Sequence, residues 1–480
     1  MKKHILNRMM IIAMLSFGWA CSSDDQPESP PDPSPPTTPP GSDYQPLDLS
    51  AMDNGQGVMM QAFYWDVEPR HEWWNTILPK IQDWADAGVD RIWLPVATKG
   101  QSGGYSMGYD PSDYFDFGEY DQHGTIPTRM GTRQELEAVI EEAHSRDVEV
   151  IADIVLNHNS GGGPQYNPYR HKQTYTLFNE ENGNASGKFN RDFEHFHPNG
   201  IHERDPEALF FEEQDLCHDH PYVQEWFWKS EESVAKYYKN VMGFDGWRFD
   251  YVKGFEPWVV NEWMKSVGGF AVGELWDGNG AVLAQWVEET GIPAFDFAAF
   301  YKLEEAFDRH NDLNFLDRDM LRKTHPDLAV TFVANHDTEK DEHPDNRISK
   351  ENKMKSYAYI LTHDGYPTIF YLDYEDEDFK QELQQLMLIH GSLASGEVEV
   401  LYVDQDEYVM RRSGGQGNPG LILYINSGND TKRRSVQSLW NDRPVMDYAG
   451  HTTYTSTTDQ SGKVMLEAPA KGYAIYSVME

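Results

Sequence analysis

Four acidic residues in the middle of the chain each follow an apolar run. They are Asp153, Asp250, Glu274 and Asp337, and an asparagine, histidine or arginine lies near three of them. A single acid in such a place is usually a helix N-cap or a turn residue. Four in succession indicate a shared site. Carboxyl groups held together can divide acid and base roles between them, since one can donate a proton while another stays ionised.

The neighbours of two of these acids predict different protonation states. Arg248 precedes Asp250 by two residues, so on a strand both side chains lie on one face, where the cation would keep Asp250 ionised. Glu274 is followed by Leu275 and Trp276, and apolar surroundings raise the pKa of a carboxyl. The pattern therefore predicts one ionised and one protonated carboxyl, the two forms that acid–base catalysis needs.

Apolar runs alternate with amphipathic segments along most of the chain, which predicts repeated βα units. The amphipathic segments are clearest at 74–87 and 133–144. Eight such strands predict an α/β protein with a (β/α)8 TIM barrel, in which chemistry lies at the C-terminal ends of the strands. The predicted strands are 58–65, 91–96, 148–158, 244–250, 270–276, 294–300, 329–337 and 367–372.

Two segments do not fit the barrel repeat. The segment after His158 is rich in Asn, His, Gly and Pro and is too long for a crossover before the helix predicted at 222–238, which indicates an inserted loop-rich subdomain after strand 3. Short alternating runs after residue 394 predict a C-terminal antiparallel β domain. These runs are 398–403, 407–412, 420–425 and 474–478. The predicted domains are the barrel (45–158 and 219–394), the insert (159–218) and the C-terminal domain (395–480).

The N-terminus is predicted to direct export. Lys2 and Lys3 precede an apolar stretch too short to span a bilayer, which indicates a signal peptide of residues 1–20. The cysteine that follows, Cys21, resembles the lipidated residue of bacterial lipoproteins; secretion with a free cysteine is the alternative. Residues 21–44 are predicted to be an extended, proline-rich linker. We therefore expect a secreted protein at the outer membrane or cell surface, with a lipid anchor at Cys21 as its membrane attachment.

Composition limits the classes of partner. The sequence has 79 acidic and 40 basic residues, a formal net charge of −39. Such a charge repels nucleic acids and anionic lipid surfaces, so neither is an expected partner. A neutral or cationic ligand is favoured, and we expect a monomer.

Four short motifs resemble those of the α-amylase family, glycoside hydrolase family 13. The stretches at 61–65, 104–111 and 247–254 are similar to its archaeal and plant-like branch. The resemblance implies an endo-acting, retaining hydrolase of starch and maltooligosaccharides. The four motifs are 153–158, 246–254, 273–277 and 332–337.

The resemblance also assigns roles in the reaction. It implies Asp250 as nucleophile, Glu274 as general acid/base and Asp337 as the carboxylate that stabilises the transition state. It further implies hydrogen bonds from two histidines to sugar hydroxyls and a tyrosine stacked under the ring at the cleavage site. The substrate-binding residues implied in this way are Tyr109, His158, Arg248, Lys253 and His336.

A calcium site is a further implication of the resemblance. Its ligands would be Asn157, Asp205, Asp215 and the carbonyl of Gly254, with a main-chain oxygen contributed by Glu207. Oxygen ligands of mixed charge in a loop-rich segment suit Ca²⁺.

The same segment resembles a zinc site of the archaeal branch. One thiolate and two imidazoles, from Cys217, His197 and His202, are suitable zinc ligands. Because Cys217 is the only cysteine besides Cys21, an internal disulfide is not expected. A buried free thiol near ordinary histidines is the alternative.

Two other functions remain open at this point. The same chemistry could serve a maltooligosaccharide-forming enzyme or transglycosylase, which differs in its products. A non-catalytic starch-binding lipoprotein would have lost at least one catalytic acid, and this chain retains all three.

Overall fold

A computed structural model covers residues 44–205, 210–340, 347–415 and 417–480. The predicted signal peptide, Cys21, the linker up to residue 43 and Glu207 lie outside these described residues. No helix in the described ranges is long and apolar enough to cross a membrane.

Eight parallel strands close into a barrel, which confirms the predicted fold class. Each strand pairs with the next one along the chain, and the last pairs with the first. The strands read as apolar runs because helices cover the outside of the barrel while side chains fill its interior. They are β1 (Val58–Gln61), β2 (Val89–Trp93), β3 (Glu149–Val155), β4 (Gly246–Asp250), β5 (Phe270–Gly273), β6 (Ala294–Phe295), β7 (Ala329–Phe332) and β8 (Tyr366–Phe370).

The strand register brings the acidic residues together. Strands β3 and β4 pair with Asp153 opposite Arg248. Strand β4 ends two residues later at Asp250, whose side chain lies on the same face as that of Arg248. Between β4 and β5, Phe249 lies opposite Gly273, and the backbone N–H of Glu274 donates to the Phe249 carbonyl at 2.9 Å. Glu274 thus begins the loop directly beside the end of β4.

Two predicted strands are partly helical. Run 294–300 contains only the two-residue β6, because the Asp296 side chain accepts a hydrogen bond from the Ala299 N–H and caps the helix Phe297–Glu304. In the run 367–372, strand β8 likewise ends at Phe370, and the helix Tyr371–Glu375 begins at the next residue. An apolar run does not by itself separate a buried strand from a buried helical turn.

The helices of the barrel show the expected amphipathic pattern, with local interruptions. The predicted helix 133–144 is present and begins at a capping box formed by Thr132 and Glu135. The predicted helix 74–87 is divided by a 3₁₀ turn at Leu78–Lys80, and 222–238 forms two short helices that each continue into a π-helical turn. The α-helices are Trp73–Ile77, Ile81–Asp86, Arg133–His144, Pro221–Gln224, Val234–Tyr237, Trp258–Val267, Gly280–Thr290, Phe297–Glu304, Leu321–Thr324, Lys350–Thr362, Tyr371–Glu375 and Lys380–Leu393.

The described residues of the insert form one antiparallel hairpin and a 3₁₀ turn at Phe193–His195. The hairpin, formed by Gly163–Asn167 and Lys172–Leu177, is called the insert hairpin below. Arg191 connects this segment to the barrel. Its guanidinium is buried and donates to Asn159 Oδ1 at 2.9 Å and to the Ser112 carbonyl at 3.1 Å. The insert is therefore fixed to the loops that surround the C-terminal ends of the strands.

The C-terminal residues form an antiparallel β domain, as predicted. A six-stranded sheet has the order β9-β10-β11-β16-β13-β14, and β12 pairs with β15. Four of these eight strands, β12 to β15, were not predicted; β12, for example, is Lys-Arg-Arg-Ser-Val-Gln, a polar sequence on an edge. The strands are β9 (Val398–Val403), β10 (Glu407–Arg412), β11 (Leu421–Asn426), β12 (Lys432–Gln437), β13 (Pro444–Asp447), β14 (Ser456–Thr457), β15 (Lys463–Ala468) and β16 (Gly472–Val478).

Candidate active site

One buried arginine connects three carboxylates at the C-terminal end of the barrel. Arg248 Nη1 lies 2.9 Å from Asp153 Oδ1 and 2.7 Å from Asp250 Oδ1, and Arg248 Nη2 lies 2.8 Å from Glu274 Oε1. The arginine side chain is 1% exposed. Its burial is tolerated because its cation contacts three acidic side chains, and the same contacts fix Asp250 and Glu274 side by side.

The loop after β4 completes the cluster. Tyr251 adopts a left-handed backbone conformation with φ of 44°, and its N–H donates to Glu274 Oε2 at 3.0 Å. Each oxygen of Glu274 therefore has a partner, one on Arg248 and one on this turn. A carboxyl held at both oxygens keeps a fixed orientation toward the cleft.

Glu274 is set up as an acid. Burial raises the pKa of Glu274 to about 8 against the opposing charge of Arg248, and the negative charges of Asp250 and Asp337 act in the same direction as burial. A raised pKa favours the protonated form of Glu274 near neutral pH, and Asp250 Oδ1 accepts a hydrogen bond from Arg248 at 2.7 Å. The direction of the Glu274 shift is the one that its apolar neighbours predict.

Asp337 lies on the opposite side, after β7. Its Oδ1 pairs with the ammonium of Lys340, and its Oδ2 lies 3.3 Å from His336 Nε2. Against the effect of burial, His336 and Lys340 keep the pKa of Asp337 below its ordinary value. Gln61 Nε2 donates to His336 Nδ1 at 2.8 Å, which leaves the ring proton on Nε2, and burial lowers the pKa of His336 to about 3.

Tyr109 lies over the cluster. Its hydroxyl donates to Asp153 Oδ2 at 2.8 Å, and its ring stacks on His336 with centroids 5.3 Å apart and an interplanar angle of 8°. The Trp65 ring lies beside both, with its centroid 5.8 Å from that of Tyr109 and 6.1 Å from that of His336. These aromatic rings form a wall beside the carboxylates, of the kind that packs against a flat apolar ligand face.

The structure gives His158 a different set of contacts from those expected. Its Nε2 donates to the Tyr109 carbonyl at 2.9 Å, its Nδ1 accepts from Asn157 Nδ2 at 3.2 Å, and its ring stacks on Phe211 at 3.8 Å. Both ring nitrogens are therefore engaged with the protein. A hydrogen bond from His158 to a sugar would have to replace one of these contacts.

Lys253 lies apart from the arginine cluster. Its ammonium is 3.5 Å from Asp277 Oδ2, and both side chains are partly exposed. A cleft of ≈ 380 Å³ opens on the Tyr109 side of the site. Aromatic residues dominate its apolar lining, namely Trp65, Tyr105, Tyr109, Phe210 and Phe211.

A second buried polar cluster lies in the insert. Single ligand atoms of His197, His202 and Asp205 all lie within 4.8 Å of one another. His197 Nδ1 is 2.8 Å from Asp215 Oδ2, and the His218 ring lies 3.9 Å from Asp205 Oδ2. Residues assigned by resemblance to a calcium site and to a zinc site therefore meet in one cluster.

Four atoms of this cluster have no hydrogen-bond partner within the described part of the chain. They are His197 Nε2, His202 Nδ1, Asp205 Oδ2 and His218 Nδ1. Buried polar atoms in native proteins are normally paired, so a group of unpaired nitrogen and oxygen atoms fits a bound cation. The thiol of Cys217 is fully buried and is among the groups that raise the pKa of His197, so it lies at the edge of the same cluster.

The remaining expected calcium ligands are adjacent to this cluster. A Cβ atom on Gly254 would lie 1.8 Å from Asn157 Oδ1, so these two residues are in direct contact and only glycine fits there. The N–H of Leu216, next to Asp215, donates to the Asn157 carbonyl at 3.0 Å. Asn157, Asp215 and Gly254 thus lie where the insert meets the barrel.

Several residues of both clusters had no role assigned from the sequence. Asp153 was recognised as part of a motif, but its position between Tyr109 and Arg248 depends on strand register. Lys340 lies in a loop without periodicity. His218 had a usable signal, because it follows Cys217 in a Cys-His-Asp-His stretch.

The fold and the arginine-bound carboxyl pair together define a glycoside hydrolase built on a (β/α)8 barrel. Two family models match the chain: the α-amylase catalytic domain over residues 73–267 and the α-amylase C-terminal domain over residues 421–477. The chain belongs to the α-amylase family.

Individual relatives agree with this placement. The cytoplasmic α-amylase of Escherichia coli K12 is 26% identical over 496 aligned residues, covering 88% of this chain and 99% of the relative. The glucan 1,4-alpha-maltohexaosidase of Bacillus sp. strain 707 is 28% identical and covers 68% of this chain and 73% of its own length. An Anoxybacillus α-amylase crystal structure superposes with a TM-score of 0.67 at 19% identity, covering 88% of this chain and 97% of that one, which shows a shared fold.

Proposed function

We propose that this member of the family is an endo-acting α-amylase that hydrolyses α-1,4-glucosidic bonds in starch and maltooligosaccharides. The observation that carries the proposal is the shared guanidinium of Arg248, which binds one carboxyl at 2.7 Å and another at 2.8 Å. Burial raises the pKa of the second, Glu274, so this carboxyl can supply the proton while Asp250 acts as the nucleophile.

The reaction follows from these states. Glu274 donates its proton to the glycosidic oxygen while an Asp250 oxygen bonds to the anomeric carbon, and the leaving chain departs with the proton. Glu274, now ionised, removes a proton from water, whose oxygen displaces Asp250 and restores both carboxyls. Asp337 stabilises the positive charge that develops on the sugar ring, and Tyr109 supports the ring.

The test is Asp250→Asn. We expect release of reducing sugar from soluble starch to fall below detection while circular dichroism shows a folded protein. Asp147→Asn is the matched control, because Asp147 is exposed and has a φ of 58°, which asparagine also tolerates. Wild-type rates in Asp250→Asn would exclude the assignment.

Product length is a separate question. The name of the Bacillus sp. relative, a maltohexaosidase, makes a maltooligosaccharide-forming activity the second candidate. Chromatography of early products from starch distinguishes the two, since a random endo pattern gives many lengths and an oligosaccharide-forming enzyme gives one dominant length.

We propose that the insert cluster holds structural metal. Its imidazole nitrogens and Asp205, with Cys217 beside them, suit a zinc ion, whereas Asn157, Asp215 and the Gly254 carbonyl offer the oxygen ligands that Ca²⁺ prefers. A bound cation would supply charge that joins the insert to the end of β3 and lends stability to the wall of the cleft.

We also propose export and lipidation at Cys21. The support is the order of basic start, apolar stretch and cysteine in the first 21 residues. Labelled palmitate should be incorporated by the wild-type chain expressed in a bacterium and not by Cys21→Ser. Equal labelling of both would exclude Cys21 as the modified residue.

A further inference from the structure

The insert hairpin carries two tyrosines on one face. Tyr166 lies opposite Gln173 in the antiparallel pairing. Tyr175 follows Gln173 by two residues, so its side chain lies on the same face as that of Tyr166. The other face is directed inward, since Thr174 and Thr176 are fully buried.

Both tyrosines are exposed and lack partners. Tyr166 is 61% exposed and Tyr175 is 56% exposed. Neither ring contacts another aromatic ring, and neither hydroxyl makes a hydrogen bond, among the residues that the structure describes. Neighbouring exposed aromatic rings rimmed by polar groups are typical of a binding surface.

The chemistry of this face selects a neutral ligand. Pro164 is also exposed two residues before Tyr166, so this face of the hairpin presents proline, tyrosine and glutamine. The exposed Lys172 is offset from Gln173 by one residue and pairs with Glu213. In a protein of net charge −39 this is an uncharged platform with hydroxyl and amide groups around flat apolar rings. A pyranose has the matching surface, an apolar ring face edged by hydroxyls.

The position of the hairpin relates it to the cleft. It starts at Gly163, five residues after His158, in the loop that follows β3, and so it emerges from the end of the barrel that carries the carboxylates. We propose that the face formed by Pro164, Tyr166, Gln173 and Tyr175 is a second α-glucan-binding surface, separate from the catalytic cleft. This inference rests on the proposed function, which supplies the glucan.

Such a surface would bind long glucan chains better than short ones. A polymer bound to the hairpin raises the local concentration of chain segments at the cleft, whereas a short oligosaccharide gains nothing from a second contact. Loss of the tyrosines should therefore affect starch and leave short substrates unchanged. Tyr105, which lines the cleft itself, provides the contrast because its loss should affect both.

The experiment compares wild type with the double variant Tyr166→Ala/Tyr175→Ala. Affinity for amylopectin is measured by native affinity electrophoresis, and kcat/KM is measured on maltopentaose. We expect roughly fivefold to tenfold weaker binding to amylopectin, corresponding to loss of two aromatic stacking contacts, with unchanged kcat/KM on maltopentaose. Leu439→Ala, which removes a side chain 52% exposed on the C-terminal domain, should change neither value.

Unchanged amylopectin retention in the double variant would overturn the proposal, as would an equal loss on maltopentaose. A wild-type dimer in gel filtration that the double variant dissociates would assign the face to self-association instead and would also overturn it. Failure of the proposed function is distinct, because it would appear as an inactive wild type on both substrates, whereas the electrophoresis requires no turnover.

Discussion

The arginine cluster and the insert cluster each bury several ionisable groups, but the buried charges are balanced in different ways. Around Arg248, each of the three carboxylates has an ion-pair distance of 2.7 to 2.9 Å to a guanidinium that is part of the chain. Around Asp205, four polar atoms lack a hydrogen-bond partner in the described ranges, and the nearest histidine nitrogens lie 3.7 to 3.9 Å from its carboxylate oxygens. The first cluster contains its own cation. For the second we propose a cation taken from solution.

The largest effect should come from removing the cation of the first cluster. Arg248→Met removes the cation that Asp153, Asp250 and Glu274 share, and breaking a buried ion pair from one side costs about 3–5 kcal/mol. We expect the free energy of unfolding in urea to fall by about that amount and hydrolysis of starch to be lost. Metal addition should restore neither, since this cluster does not depend on metal.

Arg146→Met is the control for this prediction. Arg146 forms a partly exposed i, i+4 pair with Glu142, and such pairs contribute about 0.5 kcal/mol or less. If Arg248→Met unfolds at the same urea concentration as wild type, Arg248 does not stabilise the buried carboxyl groups around it.

The second prediction concerns the proton on Glu274. Because a carboxyl with a pKa of about 8 is protonated below that pH and ionised above it, the proton needed by the leaving group is lost as pH rises through about 8. We expect kcat/KM to fall along an alkaline limb there. Glu274→Gln should lower kcat by about 10²–10⁴-fold and abolish the limb.

Glu231→Gln, at a side chain 91% exposed, should keep the wild-type profile. A wild-type alkaline limb that persists in Glu274→Gln would mean that another group titrates. The pH profile thus tests the arginine cluster independently of its stability.

The third prediction concerns the insert cluster. Removing a ligand present at about 100 times its dissociation constant costs about 2.7 kcal/mol, so a chelator should lower the Tm of a domain of this size by roughly 3–4 °C. Separate addition of Ca²⁺ and Zn²⁺ with elemental analysis should show which ion restores it. Asp205→Asn should have a low Tm from the start and respond weakly to chelator.

The two clusters should respond differently to the chelator. The alkaline limb near pH 8 belongs to Glu274 and should remain in whatever activity survives chelation. A Tm that chelator leaves unchanged, with no metal in the purified protein, would show that the unpaired atoms around Asp205 are not metal ligands.

How far the sequence predicts the structure differs between these regions. The barrel strands were predictable because parallel strands buried on both faces are apolar throughout, and the acids at their ends followed from that. The ends of the strands were not predictable from the sequence, since Asp296 begins a helix within an apolar run. Strands β12 to β15 were missed because edge and half-exposed strands carry polar residues such as Lys432 and Arg434.

The site residues show the same division. Asp250 and Glu274 could be found because each lies at the end of a strand. The contact between Tyr109 and Asp153 joins residues 44 positions apart and depends on strand register and loop path, which no local pattern encodes. His218 joins Asp205 only because the insert folds back on itself. The assignment to the archaeal and plant-like branch stays a prediction, as do the export signal and Cys21.

The smallest expected effect lies at the edge of the arginine cluster. Lys340 pairs with Asp337, and its ammonium lies 3.2 Å from the centroid of the Trp65 ring. Lys340→Met removes one of the groups that lower the pKa of Asp337, so this carboxylate would take up a proton at a higher pH than in wild type. We expect the acid limb of kcat/KM to move to higher pH and the value at neutral pH to change by about fivefold or less, the effect of one partly exposed pair. Lys340→Arg should keep the wild-type acid limb. If Lys340→Met leaves the acid limb in place, then His336 alone lowers the pKa of Asp337. Lys340 would then not be part of the charge balance of the arginine cluster.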